Sequence, residues 1–216
     1  MNSSRVALIG GGGHARVLTE TLVSLDLAVQ IVVAPKSESN SSSETVVFAS
    51  DQNFIERFGP DEVVLVNAVG SLPRDSELRK RLYYWYSEKK YVFLTIVSPL
   101  AYVSPSAVLG PGVQVNAGAI IQAGARLGEN CIVNTGAIIE HDCVLGDHCH
   151  VAPGAVLSGG VTLGASAHVG TGAKLIQGLE IGRYSVIGAG AVVTNDVPSG
   201  TTFVSRESLA VRASYE

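Results

Sequence analysis

Charge is scarce in this sequence. Charged residues make up 16% of the 216-residue chain, the formal net charge is −4, and the basic runs are short, at residues 79–81 and 89–90. Proteins that hold nucleic acid through its phosphates carry a basic patch or stripe. The composition therefore excludes nucleic acid as a partner.

Long apolar runs are missing as well. No segment reaches about eighteen consecutive apolar residues, which is the length that a membrane-spanning helix needs. The first five residues, Met-Asn-Ser-Ser-Arg, lack the basic, apolar and small-residue order of a secretion signal. These absences predict a cytoplasmic protein that does not use a membrane as a partner.

Cysteine is rare, with three residues in the whole chain. Three thiols would allow a metal site, or a disulfide and a spare thiol. Cys131, Cys143 and Cys149, however, all occupy the fifth place of a six-residue repeat, where most other members are alanine. We therefore interpret them as small buried side chains.

The repeat itself is the strongest pattern in the sequence. From Val97 to Pro198, seventeen consecutive hexads each begin with an aliphatic residue. A short fixed period is typical of a parallel β-helix, in which three hexads would form one coil of eighteen residues. Nearly six such coils, stacked about 4.8 Å apart, would form a three-sided prism roughly 27 Å tall. The first positions, which should fill its interior, are Val97, Val103, Leu109, Val115, Ile121, Leu127, Val133, Ile139, Leu145, Val151, Leu157, Leu163, Val169, Leu175, Ile181, Ile187 and Val193.

A different pattern precedes the repeats, because apolar runs of strand length alternate there with helical segments. This alternation predicts a small Rossmann-like α/β domain with a parallel sheet. The predicted strands are residues 5–9, 28–33, 63–68 and 91–96. One predicted helix follows a run of glycines after the first strand and ends at residue 25, and two others span residues 51–58 and 73–90. The predicted domains are residues 1–96, a β-helix at 97–198 and a tail at 199–216.

Four glycines follow the first predicted strand. Gly10, Gly12 and Ala15 fit the G-x-G-x-x-A pattern, in which bare backbone approaches a diphosphate at a helix N-terminus. The acidic residue that would hold a ribose after the second strand is missing, since residues 34–36 read Ala-Pro-Lys. This argues against a nicotinamide cofactor. The loop is then either the cradle of another nucleotide diphosphate or a structural tight turn.

Two neighbouring coils differ in one place. Residues 115–131 and 133–149 agree almost throughout, but Gln-Ala-Gly at 122–124 becomes Glu140-His141-Asp142. An imidazole with a pKa near neutrality can remove a proton from an attacking amine or hydroxyl, and an adjoining carboxylate can orient it. His141 is therefore the predicted general base.

The other histidines suggest weaker hypotheses. His150 and His168 are eighteen residues apart and should project from one face of the prism, one above the other. His148 is expected at a corner, in solvent. Zinc would need about three ligands of compatible spacing, whereas His148 and His150 should face different directions and the cysteines point inward. We expect no metal site.

A glycine loop followed by His14-Ala15, and then a hexapeptide prism with Glu140-His141-Asp142-Cys143, resembles the sialic acid O-acetyltransferase-like family of bacterial sugar acetyltransferases. Within that family the arrangement is nearest to the N-acetyltransferases of nucleotide-linked 4-amino-6-deoxy sugars such as perosamine and bacillosamine. The resemblance implies a left-handed β-helix, acetyl-CoA as co-substrate and a homotrimer with active sites between subunits.

The resemblance also implies roles for individual residues. His141 would be the base, and Asp142 would orient or polarise it. The sugar nucleotide would be bound by Glu140 and by the loop formed by Gly10, Gly11, Gly12, Gly13 and His14. His150 would contribute to the acetyl-donor or acceptor pocket, and the acetyl donor would contact the backbone near Gly159 and Gly170.

The leading hypothesis is acetyl transfer from acetyl-CoA to the amine of a nucleotide-linked 4-amino sugar. O-acetylation of a sialic acid or another sugar hydroxyl by the same residues is the alternative. A third hypothesis is a non-catalytic nucleotide-binding or assembly module.

Overall fold

The computed structural model describes residues 5–35, 45–71, 73 and 77–205. The chain divides between Pro99 and Leu100 into two compact units. Among the described residues, no helix is both long and apolar enough to span a membrane. Part of the predicted helix at 73–90 and the tail beyond residue 205 lie outside the described residues.

The first unit contains a five-stranded parallel sheet with the strand order β3-β2-β1-β4-β5. Its strands are β1 (Arg5–Ile9), β2 (Val29–Val33), β3 (Val46–Phe48), β4 (Val63–Asn67) and β5 (Val92–Phe93). Its helices are α1 (Gly13–Val23), α2 (Asp51–Arg57) and α3 (Glu77–Glu88). The predicted small parallel α/β fold is confirmed.

Alternate side chains of β1 enter two separate cores, one on each face of the sheet. Ala7 and Ile9 pack with Phe54 of α2 and Tyr86 of α3 on one face. On the other face, Leu8 packs with the buried residues of α1. Because strand side chains alternate between faces, both layers of helices are held by one central strand.

Two details of this unit differ from the sequence-based expectation. Residues 91–96 form two short strands, β5 and β6 (Ile96–Val97), and only β5 joins the five-stranded sheet. The strand β3 was not predicted from the sequence. This strand has three residues, only half-buried or exposed, so it carries too little apolar pattern to be recognised.

From residue 100 onward, the described chain consists of two-residue strands separated by tight corners. In chain order these strands are β7 (Tyr102–Val103), β8 (Val108–Leu109), β9 (Gln114–Val115), β10 (Ile120–Ile121), β11 (Arg126–Leu127), β12 (Ile132–Val133), β13 (Ile138–Ile139), β14 (Val144–Leu145), β15 (His150–Val151), β16 (Val156–Leu157), β17 (Thr162–Leu163), β18 (His168–Val169), β19 (Lys174–Leu175), β20 (Glu180–Ile181), β21 (Val186–Ile187), β22 (Val192–Val193) and β23 (Thr202–Phe203).

These strands stack in three parallel faces. Face 1 contains β7, β10, β13, β16, β19 and β22; face 2 contains β8, β11, β14, β17 and β20; face 3 contains β9, β12, β15, β18, β21 and β23. From β7 to β22, partners in the stacks are eighteen residues apart, as in Ile120↔Ile138 and Ile138↔Val156. The last pair on face 3 is sixteen residues apart, at Val186↔Thr202. The eighteen-residue coil is confirmed. Face 3 continues to β23, beyond the seventeenth hexad.

The second residue of each strand fills the interior. From Val115 to Val193 all fourteen first positions of the hexads are buried. The three cysteines are buried too, and each thiol donates to the carbonyl oxygen fifteen residues later, at Gly146, Ser158 or Gly164. Burial raises the pKa of the Cys131 and Cys143 thiols. The interpretation of the cysteines as core residues is confirmed.

Candidate active site

The predicted base lies on the outer surface of the prism, at the corner between β13 and β14. His141 Nδ1 and Asp142 Oδ2 are 2.9 Å apart. Asp142 adopts left-handed backbone geometry with φ 59°, which aspartate tolerates better than most residues. The Asp142 N–H donates to the Ala123 carbonyl of the preceding coil. The corner geometry therefore sets the orientation of the carboxylate towards the ring.

Glycines in the adjacent coils leave room for both side chains. A Cβ atom on Gly159 would lie 2.5 Å from Nε2 and 2.6 Å from Cε1 of His141. A Cβ atom on Gly124 would lie 2.5 Å from Oδ1 of Asp142. Since Cβ atoms do not approach other atoms this closely, the two side chains can hold these positions only while both neighbours are glycine. The imidazole thus lies against the bare backbone of Gly159.

The tautomer of His141 follows from its partner. A carboxylate can only accept a hydrogen bond, so Nδ1 of the neutral ring carries the proton and donates to Asp142, which leaves Nε2 with its lone pair. The side chains of His141 and Asp142 are 65% and 74% exposed. His141 can therefore meet a substrate and accept a proton at Nε2.

His150 and His168 lie on face 3, whereas His141 lies at the corner between faces 1 and 2. The two rings are in register on β15 and β18, and their centroids are 4.7 Å apart in an edge-to-face arrangement. Burial lowers the pKa of His168 to about 4, so this ring is neutral at physiological pH. The expected stacking is confirmed. The contact of His150 with the acetyl donor stays a prediction.

The expectation that the His148 side chain lies in solvent is wrong. Its side chain is 6% exposed, and its Nδ1 hydrogen-bonds with Asn130 Nδ2 of the preceding coil at 2.9 Å. Both residues have positive φ at equivalent corners eighteen residues apart. The stacking of coils therefore places one side chain directly against the other.

In the ranges that the structure describes, no three His, Cys, Asp or Glu side chains are grouped so that they could hold a metal ion.

The remaining predicted prism residues have different surroundings. Glu140 is half-buried and follows β13, immediately before the base. Gly170 is buried, and its N–H already donates to the Ile187 carbonyl. That donor is thus used within the prism, and we leave Gly170 out of the proposed site.

The first unit has a cavity of about 680 Å³ at the carboxyl ends of its strands. The predicted glycine loop lines this cavity together with the ends of β2, β3 and β4 and part of α3. Gly12 is the N-cap of α1, with no side-chain cap and no acidic residue in the first turn. The free N–H groups of such a helix end attract anions. The residues that line the cavity include Gly10, Gly11, Gly12, Gly13, His14, Asp51 and Arg81.

Comparison with known proteins finds transferases that are similar to this chain over both units. The bacterial transferase hexapeptide family (six repeats) matches residues 124–159. A perosamine N-acetyltransferase from Caulobacter crescentus, solved with CoA and GDP-perosamine as a mutant in which asparagine replaces a histidine, is 34% identical. The alignment covers 94% of each chain, with a TM-score of 0.84. The chain belongs to the hexapeptide-repeat sugar acetyltransferases.

Other solved structures agree with this assignment. The acetyltransferase domain of PglB from Neisseria gonorrhoeae, in complex with acetyl coenzyme A, is 32% identical over 93% of this acetyltransferase and 96% of that chain, with a TM-score of 0.82. WeeI from Acinetobacter baumannii, at 23% identity, shares the fold with a TM-score of 0.81. A comparison with curated proteins finds no significant match.

The family assignment confirms two predictions for the acetyltransferase, namely the left-handed β-helix and the acyltransferase activity. The predicted acetyl-CoA co-substrate agrees with the CoA and acetyl-CoA that those relatives bind.

The packing of two glycines against the base and its carboxylate was not predicted from the sequence. Gly124 was not singled out, and Gly159 was predicted only as a contact of the acetyl donor, which stays a prediction. Gly124 precedes Asp142 by eighteen residues, and Gly159 follows His141 by eighteen, so the repeat register itself contained the signal for their packing. Asp51 and Arg81 line the cavity but carry no sequence motif. They are brought there by the strand order, which no local pattern specifies.

Asp142 provides a test of how the carboxylate acts. Asparagine at this position keeps the size of the side chain, its tolerance of left-handed backbone and a hydrogen-bond acceptor, but it removes the charge that stabilises an imidazolium. Because the pair is exposed to solvent, we expect Asp142→Asn to lower kcat/KM only by about tenfold. Steady-state kinetics at neutral pH measure this effect. Asp147→Asn, an exposed carboxylate at the next corner, is the matched control, and equal rates for both variants would contradict the role of Asp142.

Proposed function

We propose that the chain transfers the acetyl group of acetyl-CoA to the 4-amino group of a nucleotide-linked 4-amino-6-deoxy sugar of the GDP-perosamine or UDP-bacillosamine type, with His141 as the general base. The observation that carries this proposal is the His141–Asp142 pair, with the lone pair of His141 Nε2 left for a proton, in a chain that aligns over 94% of its length with a perosamine N-acetyltransferase.

The chemistry needs one proton acceptor. The neutral amine attacks the thioester carbonyl while His141 Nε2 removes its proton, and Asp142 stabilises the resulting imidazolium. A carbon–nitrogen bond forms, the carbon–sulfur bond breaks, and the proton on Nε2 passes to the departing thiolate of CoA. Transfer of this proton completes the cycle and regenerates the neutral ring.

The tetrahedral intermediate needs a hydrogen-bond donor for its oxyanion. We assign this role to the N–H of Gly159, the residue whose missing side chain leaves room for the His141 ring. The neighbouring N–H groups of Ser158 and Gly160 donate to the carbonyls of Leu175 and His141. Among the described residues, the N–H of Gly159 has no such acceptor. It is therefore available to a ligand beside the base.

The nucleotide part of the acceptor is assigned to the cavity of the α/β unit. The glycine loop and the uncapped N-terminus of α1 supply N–H donors for a diphosphate, and Arg81 supplies a positive charge on the same wall. His14, in the first turn of α1, contributes to this lining.

A homotrimer, with acetyl-CoA in the groove between neighbouring prisms, completes the proposal. The outward positions of face 1 support self-association, since they form a column that is apolar except for Lys174 and directly precedes the corner of His141. Such a stripe on a soluble surface favours contact with a second copy. Its members are Tyr102, Ile120, Ile138, Val156 and Val192, of which Tyr102 and Val192 are 52% and 56% exposed.

The experiment presents the purified chain with acetyl-CoA and UDP-, GDP- or dTDP-linked 4-amino-6-deoxy sugars, and follows the release of CoA thiol. We expect turnover with at least one of these sugars and none with its 4-hydroxy counterpart. Free sialic acid is the second acceptor. Activity on sialic acid with none on any amino-sugar nucleotide would contradict the N-acetyltransferase and favour O-acetylation. No thiol release with any acceptor would favour a non-catalytic module.

A further inference from the structure

One acidic side chain on the wall of the nucleotide cavity is not used in the mechanism above. Asp51 is the first residue of α2, directly after β3, and its helix is capped by Ser50, whose Oγ accepts from the Asn53 N–H. Among the described residues that line the cavity, Asp51 carries the only carboxylate. A carboxylate in a cavity that binds a diphosphate repels the ligand unless it meets a hydrogen-bond donor.

Asp51 is held in place by a buried phenol. The Tyr86 hydroxyl donates to Asp51 Oδ1 at 2.6 Å, and Tyr86 has no exposed surface. Burial, together with the hydrogen bond to Asp51, raises the pKa of Tyr86, so the phenol keeps its proton and remains the donor. The Asp51 carboxylate therefore has a fixed orientation, with Oδ2 and one lone pair of Oδ1 left for a ligand.

The strand order gives the distance of Asp51 from the glycine loop. The loop follows β1, and β3 is two strands away in the order β3-β2-β1-β4-β5. Neighbouring strands are about 4.8 Å apart, so the end of β3 lies roughly 10 Å from the end of β1, where the glycine loop would hold the diphosphate. In Rossmann-like sites the ribose reaches the end of the second strand, here Ala34 and Pro35. The end of β3, the next strand in the sheet, is then at the level of the nucleobase.

We propose that Asp51, positioned by Tyr86, reads the base of the nucleotide and selects guanine. Guanine presents two adjacent N–H donors, N1–H and N2–H, which match the two oxygens of a carboxylate. Uracil and thymine present one N–H between two carbonyl oxygens, which a second carboxylate oxygen would repel. Asp51 can act in this way only if the cavity binds a nucleotide diphosphate, as proposed above.

Calorimetric titration of the full chain with GDP, UDP and dTDP measures the selection. A bidentate contact to a base discriminates by about 1–3 kcal/mol, so the unmodified chain should bind GDP about 5- to 150-fold more tightly than UDP or dTDP. Asp51→Asn should reduce this ratio to about threefold or less, because its amide N–H₂ would face the guanine N–H₂. Tyr86→Phe, which removes only the hydroxyl, should lower the ratio to an intermediate value and leave UDP affinity unchanged.

Asp61→Asn is the matched control, since Asp61 is exposed and does not line the cavity. Its GDP/UDP ratio should equal that of the unmodified chain, and thermal melting should confirm that every variant is folded. UDP binding as tight as GDP binding, or an unchanged ratio in Asp51→Asn, would overturn the role of Asp51 and leave the acetyltransferase proposal standing.

A titration with 2′-deoxy-GDP separates the base from the ribose. If Asp51→Asn weakened GDP and UDP equally and abolished the preference for GDP over 2′-deoxy-GDP, Asp51 would bind the ribose and our assignment would be wrong. If no nucleotide bound, both the assignment of the cavity as a nucleotide site and the role of Asp51 would be contradicted. Acetyl transfer to a UDP-linked amino sugar, with the GDP-linked sugar no better, would contradict base selection alone.

Discussion

Replacing His141 with asparagine is expected to lower kcat/KM for acetyl transfer by about 10²- to 10⁴-fold, which is the usual contribution of a general base. Asparagine fits the corner and can hydrogen-bond, but it cannot accept a proton from the amine. The side chain is 65% exposed and packs mainly against the bare backbone of Gly159, so folding should be unaffected. Steady-state kinetics at neutral pH with saturating acetyl-CoA measure the change.

The matched control for this substitution comes from the same column of corners. Gln177 occupies the place of His141 two coils later and is exposed. Gln177→Ala should leave kcat/KM within about twofold of the unmodified chain, as is usual for a surface substitution away from the site. A His141→Asn variant with undiminished kcat/KM would rule out the general-base assignment, although the fold and the family would stand.

Much of the prism could be predicted from the sequence because its six-residue repeat is a short-range pattern. Every first position from Val115 to Val193 is interior, as the six-residue period predicts. The error at His148 came from considering one coil at a time. Asn130, its partner, lies eighteen residues earlier, so a comparison of columns of corners would have found it.

The α/β unit was predicted less completely, because its site depends on non-local strand pairing. The glycine loop is a local motif, and it was placed correctly at the start of α1. Asp51 lines the same cavity only because β3 pairs with β2 at the edge of the sheet. Neither the short strand nor its position in the sheet has a strong sequence signal, so the acidic residue on the cavity wall could be recognised only from the structure.

Gly159→Ala is expected to be nearly as damaging as the loss of the base itself. The new methyl group would lie 2.5 Å from His141 Nε2, so the exposed ring must rotate away from its position. A displacement of about 1 Å can cost about 10²-fold, and we expect a fall in kcat/KM of at least about that size. Gly159 does not have the positive φ of Gly160, so alanine fits its backbone and the melting temperature should change little.

A double-mutant cycle distinguishes displacement of the ring from other effects of the methyl group. In a His141→Ala background the methyl has no imidazole to displace, so adding Gly159→Ala should lower the residual kcat/KM by no more than about twofold. A further fall of about tenfold or more in this background would show that alanine disturbs something else, such as the Gly159 N–H proposed for the oxyanion. The coupling energy between the two substitutions therefore measures how much the absence of a side chain at Gly159 contributes to the catalytic position of His141.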